Sequence, residues 1–391
     1  MTWRETCAMK EKIGLIAELE RGERTMSELC RIFQVSRKTG YKWWARYCEE
    51  GVPGLEERSR APHHRADRVS AEVAQALLEL RARHPDWGPR KLLDWLALRR
   101  PELARPVRST VALLLARHGL VKPRRANRRS VPYGAPFVMA GAPNELWSAD
   151  FKGQFRMGDG RYCYPLTVSD AYSRYLLCCQ GLLRPTFAEV RPWFERVFRE
   201  YGLPGAMRSD NGAPFASSAL GGISRLSLWW LKLGIIPERI RAGHPEQNAR
   251  HERMHGTLKR ACAPEASLQQ QQRALTRFRR EYNEERPHQA LSGQTPQMRY
   301  ARSGRSYPKR LPELSYPEGF EQRRVMPSGC ISWRGRKWYI AGILAGEPIG
   351  LYAIDDGVWR IHAGMLAIGL LDVRTSHIKP IDTAVEIPTV H

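Results

Sequence analysis

Acidic residues are scarce in this 391-residue chain: 40 Asp and Glu stand against 63 Lys and Arg, leaving a formal charge of +23. That deficit excludes a balanced surface and makes a polyanion the expected partner. The excess of base runs along the whole chain and is not gathered in one tail. A ribosomal or chromatin protein has a similar balance, so charge alone does not choose a function. Long apolar runs are missing as well. None approaches the roughly 18 residues needed to span a bilayer, and residues 1–12 lack the apolar stretch of a secretory signal. A cytoplasmic protein without a membrane partner is expected. Paired cysteines are the third absence. The eight cysteines, at 7, 30, 48, 163, 178, 179, 262 and 330, make no CxxC pair and no His/Cys array at zinc spacing. They read as reduced, mostly buried thiols.

The length exceeds what one hydrophobic core usually organises, so two to four domains are expected. Over residues 1–50 apolar positions recur at helical spacing, and the stretch from Met26 to Trp44 has the form of a helix-turn-helix. Ser27 and Ser36 are its expected N-caps, and Leu29, Ile32, Phe33 and Val35 its small core. Arg37, Lys38, Thr39 and Lys42 then fall on the exposed face of the second helix, suited to DNA. A helical bundle without a DNA role fits the same pattern. Residues 51–68 are a linker rich in Gly, Pro and Arg, and 69–120 predict three helices resembling a second helix-turn-helix. The linker 121–143 opens with Arg124, Arg125, Arg128 and Arg129 and no nearby acid, which suits either an extended arm on phosphates or a solvated connection.

From residue 144 the period changes from helical to alternating. Strands are predicted at 146–151, 162–169 and 174–179, with Gly158-Asp159-Gly160 turning between the first two. A helix at 187–201, a strand ending at Asp210, a helix near 218–233, a strand at 235–236 and a helix from about Asn248 follow. Three antiparallel strands followed by alternating helices and parallel strands is the order of an α/β RNase H-like domain, here 144–300. The run Gln269 to Gln272 sits inside a further helix and suggests no function. Beyond the linker 301–322, short strands between Gly-containing turns predict a small SH3-like β-barrel at 323–380 and a tail at 381–391.

Three acids stand out within 144–300. Asp150 interrupts an otherwise apolar strand, and a buried Asp needs either a cation or hydrogen bonds. Asp210 opens Asp-Asn-Gly-Ala-Pro-Phe directly after a strand, where Gly212 permits a sharp turn; by itself the tripeptide is more often just a turn. Glu252 lies on a helix with His255 and Lys259 three and seven residues on, a face that meets DNA or forms surface ion pairs. Transfer of a DNA phosphodiester needs an activated oxygen, a stabilised leaving oxygen and charge neutralisation, which two Mg²⁺ ions held by a few carboxylates supply.

These motifs in this order, followed by Tyr282-Asn-Glu-Glu-Arg-Pro-His-Gln-Ala-Leu and Thr295-Pro296, resemble the integrase core of bacterial insertion-sequence transposases, in particular the insertion sequence 481 group. That group is related to the insertion sequence 3 group and more distantly to retroviral integrases. The resemblance covers essentially the whole chain. It implies a D,D,E triad at Asp150, Asp210 and Glu252, binding two Mg²⁺ with Mn²⁺ as a substitute. It further implies a two-metal-ion polynucleotidyl transferase and endonuclease that binds terminal inverted repeats, cleaves 3′ ends and joins them to target DNA. Synapsis of double-stranded ends by a homodimer or higher oligomer is part of the same expectation. The family's usual interval of about thirty-five residues between second and third acids would select Glu246 (246 − 210 − 1 = 35). Glu252 instead holds the motif position in Pro-x-x-Asn-Ala-x-x-Glu, at an interval of 41 (252 − 210 − 1), with the six extra residues assigned to 216–231 around Gly221-Gly222. A DNA-binding regulator that retains the core without cutting is the alternative, and a hydrolytic nuclease a third.

Among neighbours, Asn211 is expected to cap the turn or position substrate, and Asn248 to cap the catalytic helix. Lys152 and Arg253 suit phosphate or solvent equally. Asp170 reads as a turn residue, Tyr282, Arg286, Pro287 and His288 as packing, and Trp333, Trp338 and Trp359 as core or rim of the barrel.

Overall fold

The computed structural model describes residues 8–58, 69–121, 140–240 and 249–381. The chain divides into two compact units, residues 1–68 and 69–391. Arg124, Arg125, Arg128, Arg129, Glu246 and Asn248 lie outside the described residues.

In the first unit, α1 (Ala8–Glu20), α2 (Met26–Ile32) and α3 (Arg37–Glu50) surround Leu15, Ile16, Met26, Cys30, Trp43 and Leu55. Thr25, not Ser27, caps α2. Its hydroxyl accepts from Glu28 N while Glu28 Oε2 accepts from Thr25 N at 2.8 Å, a reciprocal box that only the residue outside the first turn can make. Ser36 caps α3 as expected, accepting from Thr39 N. Ile32 leaves the expected core and is 55% exposed, because Cys30 and Met26 face α3 in its place. Gly40 allows that approach: a Cβ there would sit 2.6 Å from Cys30 Sγ and 2.8 Å from Met26 Sδ.

In the second unit, α4 (Ala71–Arg83), α5 (Pro89–Arg99) and α6 (Arg108–Arg117) enclose Leu77, Trp87, Leu92 and Val111. The next layer is a mixed sheet. Strands β1 (Leu146–Phe151), β2 (Phe155–Arg156), β3 (Tyr162–Asp170) and β4 (Leu176–Leu182) pair antiparallel, while β5 (Ala206–Ser209) and β6 (Ile236–Arg239) continue parallel from β1. On one face lie α7 (Phe187–Tyr201) and α8 (Arg225–Lys232), through Phe194, Phe198, Trp229 and Trp230. On the other lie α9 (Ala249–Ala261) and α10 (Leu268–Glu284), through Met254, Leu258, Leu275 and Phe278. This is the RNase H-like core that the element order predicts. The Gly158–Gly160 turn closes β2 on β3, so one short extra strand stands between the expected first and second.

Edge strand β4 has a backbone that needs partners, and α10 supplies them from one stripe. Gln272 bonds Gly181 N and Cys179 O, Arg279 bonds Leu177 O at 2.8 Å, and Asn283 bonds both N and O of Leu176 at 2.8 and 3.0 Å. The glutamine run thus contains one edge-pairing residue and one, Gln271, that is buried and accepts from Glu265 N. Arg286, also buried, reaches Asp86 at 2.9 Å, and His84 meets Glu281 at 3.1 Å, joining the α4–α6 domain to α10. Tyr282 and His288 pack ring to ring at 4.8 Å, the structural role expected of them.

After α11 (Pro296–Arg299), strands β7 (Glu321–Arg324), β10 (Pro348–Asp355), β11 (Val358–Ala363), β12 (Leu366–Asp372) and β13 (His377–Pro380) form an antiparallel sheet. The hairpin of β8 (Cys330–Trp333) and β9 (Arg336–Tyr339) is a separate ladder. The described ladders therefore form an open sheet and a hairpin, joined through Trp333 against Trp359 at 5.0 Å, and a closed barrel is not among them. This sheet docks on the core through the stretch assigned to the extra residues: Leu220 and Gly221 meet β12, and Ile223, Leu228 and Leu231 join its apolar cluster. Helix α8 is consequently apolar on both sides. Lys232 and Glu347 pair at 2.8 Å beside it.

Candidate active site

Asp150 lies near the carboxyl end of β1, directly across from Thr167 of β3. On its other side β1 runs parallel to β5, with Leu146, Trp147 and Ser148 beside Ala206, Met207 and Arg208. Asp150 and Asp210 each lie two residues beyond the last β1–β5 pair, Ser148 with Arg208. Asp210 is half-buried; burial raises its carboxyl pKa, while an N–H bond from Gly212 at 3.1 Å works the other way. Gly212 is needed for space more than for a special backbone, because a Cβ there would stand 3.1 Å from Asp210 Oδ2. Asn211 donates to Ile240 O at 2.8 Å and so ties the turn. Asp170 is likewise a turn residue, accepting from Ser173 N and from Asn144 N at 2.6 and 2.7 Å.

Helix α9 packs across β1 and β3 with His251, Met254, His255 and Leu258 inward, the i, i+3, i+4, i+7 stripe of one face. His255, expected to meet DNA with Lys259, is instead 7% exposed. It lies on the i+4 row of His251 and follows the apolar stripe under the helix. Lys259 and Arg253 are exposed, as is Glu252 in the first turn. Arg37, Lys38 and Lys42 are exposed on α3, whereas Thr39 is half-buried with its hydroxyl 2.9 Å from that of Ser36.

Thr167, fully buried, is the hub beneath Asp150. Its hydroxyl lies 3.0 Å from Asp150 O, 2.7 Å from His251 Nε2 and 2.7 Å from His255 Nε2. A carbonyl only accepts, so the single hydroxyl proton goes to Asp150 O, and both imidazoles donate Nε2–H to the hydroxyl oxygen. His251 Nδ1 then accepts from Ser169 Oγ at 3.1 Å. His255 Nδ1 faces Asp150 Oδ2 at 3.9 Å. Both rings are neutral. Burial, with the neighbouring His255, drives the His251 pKa well below its ordinary value, and burial, with the Lys152 charge, brings His255 down to about 3.

Asp150, His251 and His255 offer ligand atoms within 4.8 Å of one another; Asp210 and Glu252 are not members of that group. Hydrogen bonds occupy both nitrogens of His251, while His255 Nδ1 faces the Asp150 carboxylate. A carboxylate beside a neutral imidazole is a donor set suited to a divalent cation. Thr167, Ser169 and His251 escaped the sequence. The i, i+4 histidines flanking Met254 carried a detectable inward signal, but nothing local marked Thr167.

Integrase core domain models match residues 140–245 and 233–296, a helix-turn-helix domain model matches 11–63, and a homeodomain-like domain model matches 39–115. An insertion element IS407 uncharacterized 31.7 kDa protein of Burkholderia multivorans is 30% identical over 237 residues, 59% of this chain and 81% of that protein. An insertion element IS476 uncharacterized 39.2 kDa protein of Xanthomonas euvesicatoria is 30% identical over 238 residues, 60% of this chain and 66% of its own length. Among solved structures, the HTLV-2 integrase catalytic core in complex with magnesium is 17% identical, covering 41% of this chain and 99% of its own, with a TM-score of 0.33. A simian T-cell lymphotropic virus intasome chain is 16% identical over 73% of this chain and 91% of its own, with a TM-score of 0.37.

Proposed function

Because the chain belongs to the bacterial insertion-sequence transposases with an integrase core, we propose that it binds the terminal inverted repeats of its element, cleaves the DNA 3′ ends and joins them to target DNA. What supports this is the β1–β5 register, in which Asp150 and Asp210 each lie two residues past the last pair, and the first-turn position of Glu252 on α9, the helix whose His251 and His255 meet Thr167 across from Asp150. Asp150, Asp210 and Glu252 are the residues proposed to hold two Mg²⁺ ions, for which Mn²⁺ can substitute. When bound, such ions supply charge neutralisation at phosphorus and an activated oxygen.

The chain's own residues do the positioning. Thr167 fixes the Asp150 backbone through its carbonyl, and the glycine at 212 keeps the Asp210 carboxylate clear of a neighbouring side chain. Water attacks the scissile phosphate, the bond to the 3′ oxygen breaks, and the released 3′-hydroxyl, giving up its proton, then attacks a target phosphate in line and displaces the target strand's own 3′ oxygen, which takes up a proton. Arg37, Lys38 and Lys42 of α3 meet the end sequence, and Lys259 meets the backbone. At least two copies hold paired ends in synapsis, in the cytoplasm and on the nucleoid when DNA is bound. Labelled element ends, supercoiled target and Mg²⁺ test the proposal. Joined products are expected from the native chain and from Glu246→Gln, and none from Glu252→Gln. Cut but unjoined ends would make the protein a nuclease, and bound, uncut ends a regulator.

A further inference from the structure

We propose that His255 is itself a metal ligand: its Nδ1 and a carboxylate oxygen of Asp150 share one divalent cation, giving this centre a mixed nitrogen and oxygen ligation where the resemblance implies carboxylates alone. This deepens the metal-site reading above and rests on it. The hydroxyl of Thr167 uses its only proton on Asp150 O, so His255 Nε2 must carry a hydrogen and Nδ1 must present a lone pair. That lone pair faces Asp150 Oδ2 at 3.9 Å. A proton shared between the two atoms would draw them to about 3 Å. Two ligands each about 2.1 Å from one ion stand about 3.0 Å apart when cis in an octahedron and about 3.4 Å apart in a tetrahedron, so a shared ion would draw these two side chains together by about 0.5 to 1 Å.

The ring is also braced as metal-binding imidazoles are, with its second nitrogen hydrogen-bonded and its partner anchored in turn. Here the brace is Thr167, held by His251, which is held by Ser169. His251, with both nitrogens engaged, positions and does not ligate. Its tie to Thr167 and Ser169 leaves His255 as the nitrogen donor at this centre. An imidazole favours Mn²⁺ and later divalent metals over Mg²⁺ more than a carboxylate does. The centre is therefore expected to discriminate among divalent ions beyond what charge alone provides.

Pulsed electron paramagnetic resonance of Mn²⁺ bound to the full chain tests this without a turnover assay. The expected spectrum shows directly bonded nitrogen whose coupling changes when histidine alone is labelled with nitrogen-15, and which disappears in Asp150→Asn and in His255→Asn. Mn²⁺ affinity in His255→Asn should fall about tenfold to a hundredfold, and Mg²⁺ affinity by less. Circular dichroism reports whether that variant keeps its helices; the labelled native protein decides the question if it does not. Asp150-dependent Mn²⁺ without histidine coupling, or coupling that survives in His255→Asn, overturns the assignment and leaves the carboxylate site standing. Absence of any Asp150-dependent Mn²⁺ overturns the metal-site reading and this inference together.

Discussion

Replacing Thr167 by Val keeps the shape of a fully buried side chain and removes its hydroxyl. Two N–H groups lose their partner at once, His251 Nε2–H and His255 Nε2–H, while Asp150 O keeps its ladder bond from Thr167 N. Leaving a buried polar group unsatisfied costs about 1 to 3 kcal/mol. Ser169 still holds His251, and α9 can shift slightly, so the low end applies, about 2 kcal/mol in all. Thr167→Ser is the matched control, keeping the hydroxyl and losing one methyl worth about 1 kcal/mol. Because the chain contains several domains, the effect should be read locally, by amide hydrogen exchange of α9 and β1. Thr167→Val should exchange there about thirtyfold faster than the native chain, and Thr167→Ser only several-fold faster. Should the two variants exchange within a factor of about three of one another, the hydroxyl is not the hub, and the tautomers assigned to His251 and His255 lose their basis.

Burial holds His288 and His362 neutral in the fold, with pKa values lowered to about 3 and about 4 against an ordinary 6.5. Their stability contribution is complete above pH 6.5. It falls by about 1.4 kcal/mol per pH unit for each ring as pH drops toward those lower values, because only the unfolded chain takes up the proton. His288→Leu should flatten the acid limb of a urea-midpoint profile measured between pH 7 and 4; an unchanged slope would mean the ring is already protonated in the fold. Gly221 has φ +63°, and a Cβ there would stand 2.8 Å from Ile368 Cα, whereas the Cβ of a residue at 222, at φ +64°, would meet only the movable end of Arg239. Gly221→Ala should therefore cost about 1 to 3 kcal/mol more than Gly222→Ala and expose β12 to exchange; equal effects would remove the packing explanation.

Much of this protein is legible in its sequence. The strands at 146–151 and 162–170, the amphipathic helix at 187–201 and the cap at Ser36 are local patterns, because strand and helix periods and capping act over a few residues. The motif residues around Asp150, Asp210 and Glu252 were visible for the same reason. Contacts between distant segments decided the remainder. The inward turn of His255, its meeting with Thr167 some 88 residues earlier and the pairing of edge strand β4 by Gln272, Arg279 and Asn283 depend on which face of a helix the sheet claims. The docking of the C-terminal sheet on Gly221 is of the same kind. A lone Thr in a strand or Gln in a helix carries no mark of its future partner. That partner exists only once the chain has closed loops of tens to hundreds of residues, and burial then makes each polar group find one.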